Sequence, residues 1–408
     1  MLGHGAWTVA IATARRQKEW EMRTATQRRV SRAKPKFGML ALGVVVLVMS
    51  VAPIASAGEP VDIKLASSTE GRTLKLGDIA DDDNLVAVAF QKRNLSYVRW
   101  SKNYGSSFAP RRALRAGLRA TDPRVAVCDD LVFAVSIWQS DVTRNVGVDY
   151  RDVLTGTNGS FSLGAGSLAD VACFGEVVAV TYVLDDHLWL AVHEGSCANP
   201  CVPEVKLDLG TGNFDSPPRI SSDGDGFVAA WVTDGIAVQH FAYDADGGGG
   251  SFNITPSPVA TLMAGKNVYL PVLGGGGPRV ALAYGRDGQT HVRIRDGYGA
   301  PFGPRIIVSR FCRNCPEGRS QPESVDVSGG NILVEVLRGG GVPTAYEANA
   351  FVTTDNGSHW VKKPGHGGGF QRGVLFVAKY AEVWDAHFYN GFPYPETEQL
   401  IGFHVRNL

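Results

Sequence analysis

Pro123-Arg124-Val125-Ala126-Val127-Cys128-Asp129-Asp130-Leu131-Val132-Phe133-Ala134-Val135-Ser136-Ile137-Trp138 reads as a strand, a turn of two acids and a second strand that ends near tryptophan. The same register returns at Pro218-Arg219-Ile220, where the turn Asp223-Gly224-Asp225-Gly226 leads into Phe227-Val228-Ala229-Ala230-Trp231. In both copies the second strand is continuously apolar, as a strand packed on both faces must be. Similar runs stand at 85–90, 177–183, 280–284, 332–337 and 374–380. They are rich in β-branched and aromatic residues and are bounded by Gly, Asp, Asn and Pro. No stretch after Gly58 holds a helical apolar period for more than two turns, so the chain reads as all-β.

The runs recur at intervals of roughly 45 to 55 residues, the period of propeller blades that are each one four-stranded sheet. Gly-centred turns close most units: Asn103-Tyr104-Gly105, Asn158-Gly159, Asp246-Gly247-Gly248, Gly297-Tyr298-Gly299 and Asp355-Asn356-Gly357, with a degenerate one near Gly195. The expected fold is a β-propeller of six or seven four-stranded blades. Seven is favoured, and six applies if the segment around Cys197 and Cys201 is an insertion. The last unit supplies three strands, at 373–380, 382–389 and 400–407. The orphan segment 61–67 is expected to add the outer strand and close the ring, which removes an exposed sheet edge.

Before the propeller, at 58–408, stands a leader. Arg28, Arg29, Arg32, Lys34 and Lys36 belong to a basic segment, 23–38, that precedes the apolar run 39–52 and the small residues Ala55-Ser56-Ala57. That order is a signal peptide, with cleavage expected near 57/58 and Met22 the better initiator. Fourteen apolar residues are short for a span of about 20, and an uncleaved anchor is the alternative. The protein is therefore expected to be secreted, extracellular or held at the cell envelope, and bacterial.

Forty basic and forty acidic residues give a formal net charge of zero, which excludes a long-range field drawing the chain onto nucleic acid. Export makes the six cysteines interpretable as disulfides. Cys197 with Cys201 and Cys312 with Cys315 each close a small loop, which leaves Cys128 for Cys173. A redox or zinc role for Cys312-Arg-Asn-Cys315 would need a following helix or a second ligand pair, and neither is present.

Two turns share a longer pattern, Ser101-Lys102-Asn103-Tyr104-Gly105-Ser106-Ser107-Phe108 and Thr353-Thr354-Asp355-Asn356-Gly357-Ser358-His359-Trp360. Ser101, Asn103, Gly105 and Phe108 align with Thr353, Asp355, Gly357 and Trp360. The acid or amide can bond nearby backbone N–H groups, glycine takes positive φ, and the aromatic packs under the hairpin. This pattern resembles the Asp box, or bacterial neuraminidase repeat, of sialidase-like propellers. The resemblance implies a peripheral, structural turn in a fold shared by glycosidases, lectin-like binders and other secreted proteins.

The resemblance also implies what a sialidase would need: three arginines clamping a carboxylate, a tyrosine nucleophile activated by a glutamate, and an aspartic acid. Guanidinium groups suit the clamp because they bind carboxylates bidentately. The candidates are Arg124, Arg219 and Arg305, each after a proline, with Tyr380 and Glu382 as nucleophile and activator. The Phe/Tyr-Arg-Ile-Pro motif of that family has no counterpart between Gly58 and Phe108. Asp129, Asp130, Asp185 and Asp186 are the acids available for other glycoside hydrolysis. The acidic turns 81–84 and 223–226 read as solvated hairpins rather than calcium loops, and the glycine runs 247–250, 274–277 and 367–369 lack a phosphate-cradle context. No cofactor or metal is expected. The reading is a monomeric binding or interaction module for a glycan or cell-surface protein, with no nucleic-acid partner and membrane contact only through an uncleaved leader. An exo-acting glycoside hydrolase of the exo-α-sialidase type is the alternative.

Overall fold

The computed structural model describes residues 62–69, 73–115, 118–140, 143–194, 204–245, 252–264, 267–310, 320–338, 347–364, 371–375, 379–389 and 396–408. All belong to the compact unit Ala57–Leu408. The leader, Cys197, Cys201, Cys312, Cys315 and the glycine runs 247–250 and 367–369 lie outside the described residues.

Seven antiparallel sheets form, one per sequence unit, and the fold is a seven-bladed β-propeller. The innermost strands are Leu74–Asp82, Ala120–Cys128, Ser167–Phe174, Arg219–Ser222, Val268–Gly276, Ser320–Ser328 and Gln371–Leu375, for blades 1 to 7. The second strands are Leu85–Lys92, Leu131–Gln139, Val177–Leu184, Gly226–Val232, Arg279–Arg286, Asn331–Arg338 and Lys379–Tyr389. Blade 4 carries two short segments, Phe252–Pro256 and Ala260–Ala264, both paired with its third strand Gly235–Ala245.

Blade 7 is built from both ends of the described chain. Its third strand, Glu396–Asn407, pairs with Asp62–Thr69 as outer strand, in a register that sets Ile63 against Phe403 and Ser67 against Leu400. One boundary differs from the sequence reading. The run 374–380 is split, because Leu375 ends the innermost strand while Tyr380 already belongs to the second.

The second strands explain the apolar runs: they lie between neighbouring blades and are covered on both faces. One such layer, between blades 2 and 3, stacks Phe133, Val135 and Tyr150 against Val171, Val178 and Val180. Each fully buried large apolar side chain contributes roughly 1.5–3 kcal/mol. At the ring closure, Val86, Val88 and Phe90 of blade 1 meet Val374, Ile401 and Phe403 of blade 7.

The two longer turn motifs fold alike. The Thr353 hydroxyl donates to Asp355 Oδ1 at 2.7 Å and accepts from the Gly357 N–H at 3.0 Å, while the His359 N–H donates to Asp355 Oδ1 at 2.9 Å. Ser101 and Asn103 repeat this pattern with the N–H groups of Gly105, at 2.9 Å, and Ser107, at 3.0 Å. The aromatics do more than brace their own hairpins. Phe108 meets Phe403 of blade 7 edge-on at 4.9 Å between ring centres. Trp360 packs with Ile294 and Val308 of blade 5.

Cys128 and Cys173 form a disulfide that ties the lower ends of two innermost strands, with 6.0 Å between their Cα atoms. It spans 45 residues of chain, so replacing both cysteines with serine should remove up to about 4 kcal/mol of stability through loop entropy, read as a lower denaturation midpoint. Gly105 has φ 80°, and a Cβ there would sit 2.1 Å from the Phe403 ring. Gly105→Ala should therefore destabilise the fold by more than the roughly 1 kcal/mol of backbone strain alone, while Gly175→Ala, at a positive φ in open space, should cost only that strain.

Candidate functional site at the propeller axis

The innermost strand of a blade has a neighbour on one side only, so its other edge turns unpaired backbone groups toward the axis. Proline is tolerated there because it has no N–H to satisfy, which accounts for Pro123, Pro271 and Pro322 in these strands and Pro218 directly before one. At several of the remaining N–H groups, the preceding blade supplies the acceptor. Asp78 Oδ2 accepts from the Val125 N–H at 3.4 Å, Asp170 Oδ2 from Ile220 at 3.1 Å, Ser324 Oγ from Gly373 at 2.9 Å and Asp326 Oδ2 from Leu375 at 2.6 Å. These bonds align the innermost strands in parallel, all starting on one face, here called upper. Turns between second and third strands also lie on the upper face, and the motif turns lie on the lower.

A ring of charge follows from this register. Asp78, Arg124, Asp170, Arg219 and Arg372 occupy equivalent positions, each seven residues before the first residue of the second strand of its blade. The two remaining positions are Val272 and Ser324. Arg372 donates to Asp78 Oδ1 at 3.0 Å, and Arg124 lies 4.0 Å from the same oxygen while donating to the Gly77 carbonyl at 3.2 Å. Arg219 stands 3.8 Å from Asp170. Glu323, held by Gln321 at 2.9 Å, is the acid that blade 6 adds beside the ring.

The ring is largely out of water, and this governs its protonation. Burial, with Arg219 and Arg372 nearby, lowers the Arg124 guanidinium to about 9. Burial also raises the Asp170 carboxyl despite Arg219 and Arg124, and raises Glu323 despite Arg372. Below the ring, Asp326 is pushed up to about 6 by burial, and Asp81 is raised by burial and by Asp326. The channel encloses about 160 Å³, lined by Asp78, Asp81, Asp170, Arg219, Asp326 and Arg372 among others.

Of the five residues singled out for chemistry, the structure brings Arg124 and Arg219 to the axis and places the others elsewhere. Arg305 is exposed, directly before the outer strand of blade 5, Ile306–Ser309. Tyr380 is 1% exposed and Glu382 is fully buried, between blades 6 and 7. Glu382 pairs with Arg406 at 3.4 Å beside the equally buried Glu335, whose Oε2 accepts from Gln371 Nε2 at 3.0 Å. Burial and then the Glu382 charge hold the Tyr380 hydroxyl well above the usual phenol range. Asp129 and Asp130 sit in a lower-face turn of blade 2, Asp185 and Asp186 in an upper-face turn of blade 3, so the two pairs do not meet. In the acidic turn 223–226, the buried Asp223 carboxylate is held by Arg295 and, at 3.0 Å, by His240.

Reading motif by motif misses Asp78, Asp170, Glu323 and Arg372. The constant offset to the second strand would have found the ring positions once the blades were aligned on their apolar runs. Glu335 shows itself as the one acid inside the run Ile332–Leu337.

No protein-family model matches the chain, and no curated protein matches it significantly. Among solved structures, the chain is similar to the phage phi92 endosialidase at 8% identity and TM-score 0.46, over 86% of this chain and 69% of that one. It is similar to the β-propeller domain of the Trilobed protease from Pyrococcus furiosus at 9% identity and TM-score 0.44, over 80% and 95%. It is also similar to a subtype N11 neuraminidase-like protein of A/flat-faced bat/Peru/033/2010 (H18N11), at 12% identity and TM-score 0.42, over 71% and 88%.

Glu335 and Glu382 make stability depend on pH. Burial and mutual repulsion raise Glu335 well above the ordinary value of 4.5, and burial raises Glu382 to about 7. The folded state therefore binds more protons than the unfolded chain, and stability falls as pH rises from near 4.5 through about 7. The denaturation midpoint should be lower at pH 8 than at pH 5. Glu335→Gln should remove part of that slope, whereas a slope identical in the variant would show that the pair does not titrate as a unit.

Proposed function

We propose that the chain is a non-catalytic binding module, a propeller exported to an oxidising compartment that engages a glycan or a protein at the cell surface. The observation that carries the reading is the separation of the groups a glycosidase of the sialidase type would have to bring together. Arg124 and Arg219 lie at the axis against carboxylates, while Tyr380 and Glu382 lie walled between blades 6 and 7. A nucleophile must reach the anomeric carbon and give up its proton readily, and Tyr380 meets neither condition here. The Cys128–Cys173 disulfide fits an oxidising compartment, and the two motif turns fit the peripheral role of Asp boxes.

The exo-acting glycoside hydrolase keeps one observation in its favour. Arg124, Arg219 and Arg372 do converge on the axis, so a carboxylate could find three guanidiniums there if it displaced Asp78 and Asp170. Release of fluorophore from a panel of sialosides and other glycosides, by the oxidised protein, separates the two readings. No turnover is expected, with Tyr380→Phe indistinguishable from the parent. Turnover that Tyr380→Phe abolishes would overturn the proposal and identify the nucleophile.

A further inference from the structure

Apart from the axial channel, the upper face holds a larger cavity of about 380 Å³, within the size range of small-ligand pockets. It lies where blade 2 meets blades 1 and 3. Arg119 and Thr121 come from the start of blade 2, Gln139 from the end of its second strand, Arg144 from the beginning of its third strand, and Ser167 from the start of blade 3.

From this pocket we infer a second ligand site, one that binds an acidic saccharide through Arg119 and Arg144. The inference rests on the binding-module reading and names the ligand class and the place. Three observations carry it.

Both guanidiniums are exposed, and among the described residues neither has a hydrogen-bond or ion-pair partner, unlike the arginines of the axial ring. Their backbones are nonetheless fixed. The Arg119 carbonyl accepts from the Gln139 N–H at 3.1 Å, and the Arg144 carbonyl accepts from the Gly166 N–H at 3.0 Å, which extends the pairing of the third and outer strands of blade 2 up to the start of blade 3. The arginines are thus presented from anchored positions, and guanidinium forks fit carboxylate and sulfate oxygens.

The backbone on both sides is strained. Asp122 and Leu168 adopt φ 49° and 51°, in the bulges that precede Arg124 and Asp170. Leu270 at the matching position of blade 5 has φ 48°, so the bulge is a repeated feature of the innermost strands, and here it shapes the backbone beside the pocket.

The remaining lining suits a sugar. Ile137, 6% exposed, adds a small apolar contact to a mostly polar lining. Asn94 and Gln139 offer amides, and Asp122, with Thr121 Oγ1 donating to it at 3.2 Å, offers a carboxylate acceptor for ring hydroxyls. Among the described lining residues, two positive charges stand against one negative, which selects an anionic ring over a neutral one.

Calorimetric titration of the full chain tests this with four probes: an unsulfated uronic-acid disaccharide, a sulfated disaccharide without carboxylate, inorganic sulfate and lactose. At least one acidic disaccharide should bind about ten-fold or more tightly than lactose, and the two disaccharides separate a carboxylate from a sulfate as the recognised group. Competition by sulfate alone as strong as by the disaccharide would overturn the saccharide assignment. Arg119→Ala and Arg144→Ala should each weaken binding by about ten- to a hundred-fold, the loss of one charge-assisted hydrogen bond, while Arg310→Ala should not. Equal binding of lactose, or no acidic disaccharide bound at about 10 mM, would sink the inference. Acidic glycan binding that ignores both arginine variants would remove this site and leave the binding-module reading standing, whereas glycoside turnover would strike that reading alone.

Discussion

The open edge of the innermost strand is the constraint on which the rest of this propeller depends. Seven such edges face a narrow axis where little water can reach them, and buried backbone groups left without partners cost free energy comparable to a lost hydrogen bond. The chain meets this with three devices: prolines that have no N–H, close backbone approach, and side chains reaching from the preceding blade. Gly275 shows how close the approach is, since a Cβ there would lie 1.9 Å from the Ser222 carbonyl oxygen. Asp78, Asp170, Ser324 and Asp326 supply the acceptors.

The charge ring is the consequence. Carboxylates placed to bond backbone N–H groups in a desolvated channel need cations, and the blades next to them provide Arg124, Arg219 and Arg372. Acidic and basic blades therefore alternate around much of the axis, and Val272 of blade 5 interrupts the pattern. One layer outward, Glu335 and Glu382 sit at the seam between blades 6 and 7, next to the blade that completes the ring from both ends. The guanidiniums of the axis have partners inside the protein, whereas those of Arg119 and Arg144 face an open pocket.

Much of the fold was legible because a blade cannot bury its faces alone. The apolar runs had to recur at one interval, and two of the Pro-Arg segments, at Arg124 and Arg219, fall on innermost strands, whereas Arg305 precedes an outer one. The same arithmetic placed 61–67 beside the last unit, and that strand is observed pairing with Glu396–Asn407. The boundary near Tyr380 was not legible. An apolar run of that length reads as one strand, and only the pairing of Leu375 with Tyr380 shows that the two belong to different strands.

What the sequence by itself determined is the period, the strand content and the turns with their hydrogen-bonding residues. All of these depend on residues close in sequence or on a repeat that each blade restates. What only the tertiary structure decided is which side chains face one another across blades. Arg124 and Arg219 meet carboxylates, Tyr380 and Glu382 do not meet those arginines, and Arg119 and Arg144 share a pocket 25 residues apart. Those outcomes depend on how seven sheets turn about a common axis, which sets side-chain direction and distance between units and leaves no mark on the composition of any single one.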